Sequence, residues 1–253
     1  MLSHDPSDQD RTTDAPTPAP APGGDATRRT WGLVMAAGVV AGVGSWLAGE
    51  AVLQAYGSSL RPPMKPVPTM EDARLLLAAR VDSGTLAFGA MGGLLGLALG
   101  LAGGLARRSA RSAASAGAAG LLLGAAGVGG VARVMLPILY TKIDPQADDL
   151  MYPLLGHMAI WSVAGVAGGL AFGLGAGGRA RWWKTAFGGL VGAALATVVY
   201  EFAGALGFAT HQAHLPMAGS SATRAMAQVL VAIGTAIGSV MATAPPKGKP
   251  ASP

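Results

Sequence analysis

What most constrains this chain is a set of six long stretches almost free of charge, at about 31–56, 85–106, 113–139, 152–177, 185–209 and 222–243. Each matches or exceeds the ~20 apolar residues that a helix needs to cross a hydrocarbon core about 30 Å thick. A backbone in lipid finds no water for its N–H and C=O groups, so such stretches fold as helices that bond internally. The expectation is an all-α integral membrane protein with six transmembrane helices. Composition agrees, because 51% of the 253 residues are hydrophobic and only 12% are charged, too few charges to cover a soluble domain of this size.

The basic residues alternate in position between these stretches. Arg28 and Arg29 precede the first, Arg107, Arg108 and Arg111 separate the second from the third, Arg179, Arg181 and Lys184 separate the fourth from the fifth, and Lys247 and Lys249 follow the sixth. Such clusters hold one end of a bundle on the cytoplasmic side, so both termini are expected there. The net charge of +5 is therefore read as a topology signal; it forms no basic face, which argues against nucleic acid as a partner. Arginine outnumbers lysine 13 to 5 and glycine reaches 39, usage that suits a GC-rich bacterial genome, and the membrane expected is a bacterial inner membrane. The absence of cysteine removes disulfides, thiolate metal sites and thiol nucleophiles.

The remaining segments are of another kind. Residues 1–27 and 245–253 hold Pro, Asp, Thr, Gly and Lys with little to bury, and disordered tails are expected on either side of a membrane domain at 28–244. The loops opposite the basic clusters carry prolines and acids, the longest being an insertion at 58–84. Within it Thr69 is placed to cap a short helix with Glu71 and Asp72 in its first turn, and Leu75, Leu76 and Leu77 to rest on the outer membrane face or on the bundle.

Glycine recurs at four-residue spacing. Gly92, Gly96, Gly100 and Gly104 reappear 73 residues later as Gly165, Gly169, Gly173 and Gly177, with Gly234, Gly238 and Ala242 as an echo. Gly120, Gly124 and Arg133 likewise map onto Gly188, Gly192 and Glu201 at an offset of 68, and Gly38, Gly42 and Glu50 follow the same order with a one-residue slip. These offsets suggest three copies of a two-helix hairpin, at about 31–108, 113–182 and 185–243. Glycines four apart share one helix face and let backbones approach, so the first eight are read as helix-packing positions.

Five polar residues fall at one depth. Glu201 lies 17 residues beyond Lys184, Glu50 21 beyond Arg29, Arg133 22 beyond Arg111, His157 22 before Arg179 and Gln228 16 before Ala244. At the helical rise these are ~24–33 Å, one layer near the far edge of the hydrocarbon core. A lone ionised group there is costly, so Glu50, Arg133, His157, Glu201 and Gln228 are candidates for an ion-pair network or a ligand site. Arg133 is expected opposite Glu201 or Glu50. The nearby His211 and His214 lack a third ligand, so no metal site is assigned.

Motifs of hydrolases, metalloproteases and intramembrane aspartyl chemistry are missing, so the chain is read as a non-enzyme without a cofactor. Three hairpins have the layout of mitochondrial carriers, but the proline–acid–basic signature that should end each odd helix is absent. Six short spans with an outward polar pocket are similar in architecture to the substrate-capture subunits of energy-coupling-factor transporters, without a shared motif. The favoured reading is a structural or assembly component of the membrane; the alternative is an outward-facing solute-binding component of a transport system. Partners admitted by these readings are the lipid bilayer, another membrane protein or a second copy of the chain, and a small polar solute.

Overall fold

The computed structural model describes residues 23–61, 69–142, 151–177, 182–207 and 215–243. Among them are six helices and no strand: α1 Gly23–Ala55, α2 Met70–Ala106, α3 Ala110–Lys142, α4 Met151–Ala176, α5 Trp182–Gly207 and α6 Ser221–Met241. All six are long and apolar enough to cross a membrane.

Two boundaries differ from the expectation. α1 begins at Gly23, so residues 23–27 are helical; extending an established helix by a turn is easier than nucleating one. The tails at 1–22 and 244–253 lie outside the described residues. The capped helix at Thr69 is not a separate element on the membrane face but the first turns of α2, which runs unbroken for 37 residues, about 55 Å. Its start is fixed by a reciprocal pair: Thr69 Oγ1 accepts from the Asp72 amide at 3.2 Å, and Asp72 Oδ2 accepts from the Thr69 amide at 2.9 Å. Nothing between Met70 and Gly84 breaks a helix, since the prolines of the insertion all precede Thr69. Leu75 stays exposed, while Leu77 packs partly against the core.

The helix ends that carry Arg28, Arg29, Arg107, Arg108 and Arg111 gather at one end of the bundle, called the arginine end. Arg29 at the head of α1 donates to the Leu105 carbonyl near the end of α2 at 3.1 Å, and Ser112 in the first turn of α3 donates to the Gly175 carbonyl of α4 at 2.9 Å. The chain reverses between α2 and α3 through Arg108, whose φ of 60° is left-handed. The Ser109 amide bonds back to the Gly104 carbonyl at 3.0 Å, closing the helix end that glycine usually closes.

Each odd helix lies against two even ones: α1 against α2 and α6, α3 against α2 and α4, α5 against α4 and α6. The even helices also meet, broadly between α2 and α4 and less so between α4 and α6. This puts α2 and α4 at the centre and leaves many large apolar side chains of α1, α3 and α5 on the outside, among them Val40, Leu122 and Phe187.

The helices touch where glycine removes the side chain. A methyl added at Gly96 would lie 2.2 Å from the Gly120 carbonyl oxygen, and one at Gly92 would lie 2.4 Å from that of Gly124, so α2 and α3 are in backbone contact. Gly100 and Gly104 continue the seam against Ala116 and Ala113. In the same way Gly165 meets Gly189 and Gly169 meets Thr185 across α4 and α5, with Gly173 against Trp182 and Thr185. Gly188 and Gly192 of α5 instead face Gly238 and Gly234 of α6, and Gly38 and Gly42 of α1 face Ala236 and Val229 of α6. Gly177 has a different role from the one its spacing suggests. It lies past the end of α4 with φ 75°, where any side chain would meet the Arg107 guanidinium.

Candidate functional site

At the end opposite Arg29, Arg107 and Arg111, α4 and α5 bring His157 and Glu201 together. His157 Nδ1 hydrogen-bonds Glu201 Oε1 with both side chains out of solvent, at 3% and 8% exposure. The imidazole stacks on Trp161, one helical turn further along α4, at 4.6 Å between ring centres and 9° between planes. Tyr200 closes the other side, its ring edge-on to both, at 5.9 Å from His157 and 5.2 Å from Trp161. His157 Nε2 stands 3.4 Å from the Pro216 carbonyl, which ties the pair to the segment leading into α6.

A second pair joins the first helix to the last. Arg224 Nε and Nη2 donate to the two carboxylate oxygens of Glu50 at 2.7 and 2.9 Å, and its Nη1 donates to the Ala218 carbonyl at 2.8 Å. The bidentate geometry is the strong form of this interaction, and only about a fifth of either side chain reaches solvent, at 17% and 23%. Beside it Trp46 Nε1 donates to Ser221 at 3.1 Å, a further α1–α6 tie.

Arg133 pairs with Asp82 of α2, and neither Glu201 nor Glu50 is its partner. The expectation fails because α3 packs against α2 and α4, and neither of those helices carries Glu50 or Glu201. Its acid is instead supplied by the extended first half of α2. The pair is exposed, at 58% and 44%.

Gln228 is buried, and its Oε1 has no hydrogen-bond partner within the protein. The same holds for Trp161 Nε1. Both residues line a cavity of about 30 Å³ together with His157, Tyr200 and Arg224. A space of that size, mostly apolar but with these two unpaired polar atoms in its lining residues, suits a water-sized guest rather than a metabolite. Pro216, Met217 and Ala218 form one wall of it and also one wall of a larger cleft of about 430 Å³, which Arg80, Ser83 and Tyr140 complete. His211 and His214 lie outside the described residues.

Sequence reading placed Glu50, Arg133, His157, Glu201 and Gln228 in one layer but missed Asp82, Arg224, Trp161, Tyr200 and Arg80. Signals existed for some of them. Trp161 stands four residues after His157 and Arg224 four before Gln228, the spacing that puts side chains on one helix face. Asp82 falls in the segment that its prolines mark as a loop.

Comparison with protein-family models, with curated proteins and with solved structures finds no match to this chain.

Proposed function

We propose that this is a non-catalytic multi-pass component of a cell membrane, built to hold a compact helical bundle and to assemble with other membrane proteins. The observation that carries the reading is the half of the bundle nearest the arginines. There α2 meets α3, α4 meets α5 and α5 meets α6 with glycine backbones in contact, an arrangement suited to a fixed packing and not to a side-chain-lined pathway. The acids at the other end, Glu50 part-buried and Glu201 buried, are already taken, Glu50 by Arg224 and Glu201 by His157, which favours a network that fixes helix positions.

In this reading the arginine end faces the cytoplasm with both termini, and the membrane is a bacterial inner membrane. The hairpin repeat belongs to the same proposal. Two interfaces between an even helix and the next odd one support it, Gly92 and Gly96 on Gly124 and Gly120, and Gly165 and Gly169 on Gly189 and Thr185; at the third, Ala236 and Val229 of α6, not Gly234 and Gly238, face Gly38 and Gly42 of α1. The α5–α6 glycine contact is an addition to that pattern.

Purification in mild detergent tests the assembly role. A defined partner or a discrete homo-oligomer is expected to co-purify. A monodisperse monomer that accumulates a solute when reconstituted into vesicles would overturn it.

A second reading, an outward-facing solute-binding component, is favoured by the cleft of about 430 Å³ at the polar end. The residues first considered for it, Glu50, Arg133 and Glu201, all have partners within the protein, so a ligand would need other groups.

A further inference from the structure

We propose that the cleft between the first half of α2, the end of α3 and residues 215–219 binds an amphiphilic anion, its carboxylate or phosphate held by Arg80 and its apolar part lying against Tyr140 and the neighbouring leucines. The cleft encloses about 430 Å³, room for a small metabolite or a lipid headgroup with the first part of its chains.

Charge accounting singles out Arg80. The other arginine of the cleft, Arg224, is neutralised by Glu50 and spends its remaining nitrogen on the Ala218 carbonyl. Asp82, two residues from Arg80, is occupied by Arg133. Among the described residues no acid pairs with Arg80, whose guanidinium carbon lies 5.9 Å from the centre of the Tyr140 ring. A guanidinium held over an aromatic face keeps its planar fork of donors available, and that fork matches carboxylate or phosphate oxygens.

The rest of the lining suits the apolar part of such a ligand. Leu53, Leu60, Leu215 and Met217 supply hydrocarbon, and Ser83 stands one turn from Arg80 on the same helix. Position fits as well. Arg80 precedes Arg107 by 27 residues of unbroken helix, about 40 Å, which sets it in the headgroup layer when Arg107 lies in the opposite one. Both a lipid phosphate and a dissolved anion can reach that level. The site depends on the solute-binding reading only if its occupant is a solute.

The test uses the full chain, as wild type, Arg80→Gln and Arg80→Lys, at constant ionic strength. Unfolding temperature is followed against benzoate and inorganic phosphate in a neutral detergent, and in phosphatidylcholine nanodiscs with and without phosphatidylglycerol. A ligand that binds only the folded state must raise that temperature. Arg80→Gln is expected to raise the half-saturating concentration about tenfold or more, and Arg80→Lys by less, since it keeps the charge without the fork. Arg80 is exposed and lacks an acid partner, so both variants should fold.

A rise with benzoate or phosphate supports the site and the solute-binding reading together. A rise with phosphatidylglycerol alone supports the site and removes that reading. No rise with any probe, or an Arg80→Gln response equal to that of wild type, overturns the site.

Discussion

The two ends of this bundle solve the same problem with different means. Near the arginines, helices meet through Gly92, Gly96, Gly120 and Gly124, through Gly165 and Gly189, and through Gly188, Gly192, Gly234 and Gly238, with side chains absent at the contact. At the other end they meet through Glu50 and Arg224, His157 and Glu201, and Asp82 and Arg133, with the side chain as the contact. Backbone contact needs only that both surfaces be small, so it sets distance and tolerates some sliding. An ion pair needs one particular partner, so it sets register. A chain that uses both obtains a close-packed half and a half whose helix order is chosen by charge.

The largest effect should come from adding volume to the glycine half. At Gly96 even a methyl would overlap the Gly120 carbonyl, and backbone cannot step aside as a flexible side chain can. Gly96→Leu is therefore expected to destabilise the bundle by ~4 kcal/mol or more, read as loss of the folded species in detergent unfolding. Gly32 is the control, since nothing lies within 4 Å of a methyl built there. Gly32→Ala should leave stability unchanged or raise it by up to ~1 kcal/mol through helix propensity. Equal behaviour of the two variants would break the comparison.

Next in size is the buried pair. Glu201→Leu leaves His157 without its acid in a pocket of aromatic rings, and a loss of ~3 kcal/mol is expected in the same unfolding measurement. His157→Leu combined with Glu201→Leu should lose less than the two single losses added, because no orphaned polar group remains. Strict additivity would mean that the contact carries no coupling and that the two ends do not differ in the manner described.

The Glu50–Arg224 pair is partly open to solvent and should matter less. Glu50→Gln is expected to lose ~1–2 kcal/mol, since one charge and one strong acceptor disappear while the amide still reaches Arg224. Arg224→Gln should lose at least as much, because Arg224 also holds the Ala218 carbonyl. If Glu50→Gln exceeded Glu201→Leu, burial would be the wrong measure of what these pairs contribute.

How far the sequence reveals these differences depends on which property is asked of it. Helix number follows from run length, which needs no knowledge of neighbours. Depth follows from the rise per residue, and it brings Glu50, Arg133, His157, Glu201 and Gln228 to one end without saying which touch. Pairing depends on azimuth and on helix order around the bundle, and neither is written in a single helix. The stripe spacing shows that Gly120 and Gly188 face another helix. It does not show that one meets α2 and the other α6. Asp82 is not legible as a helical residue, because the prolines before Thr69 predict a loop that runs too far. The Thr69 cap was readable, since Thr, Glu and Asp in that order have local consequences whatever surrounds them.

The smallest expected effect concerns Arg133, and it sharpens the comparison most by its smallness. At the sequence level Arg133 and Glu201 occupy related positions, so a bond between them is the natural expectation; in the fold Arg133 turns to Asp82 at the exposed flank of α2 and α3. Two side chains as open as these lose much of their attraction to solvent and counterions, so Arg133→Ala or Asp82→Ala should change stability by less than ~1 kcal/mol. A double-mutant cycle separates the alternatives. Arg133 with Asp82 should give a coupling of a few tenths of a kcal/mol that shrinks as salt is added, whereas Arg133 with Glu201 should give none. Exchanging the charges, Arg133→Glu with Asp82→Arg, should restore what little either substitution removes. A coupling of ~2 kcal/mol between Arg133 and Glu201 would instead mean that α3 and α5 meet at the polar end, and the order of helices described above would have to be redrawn.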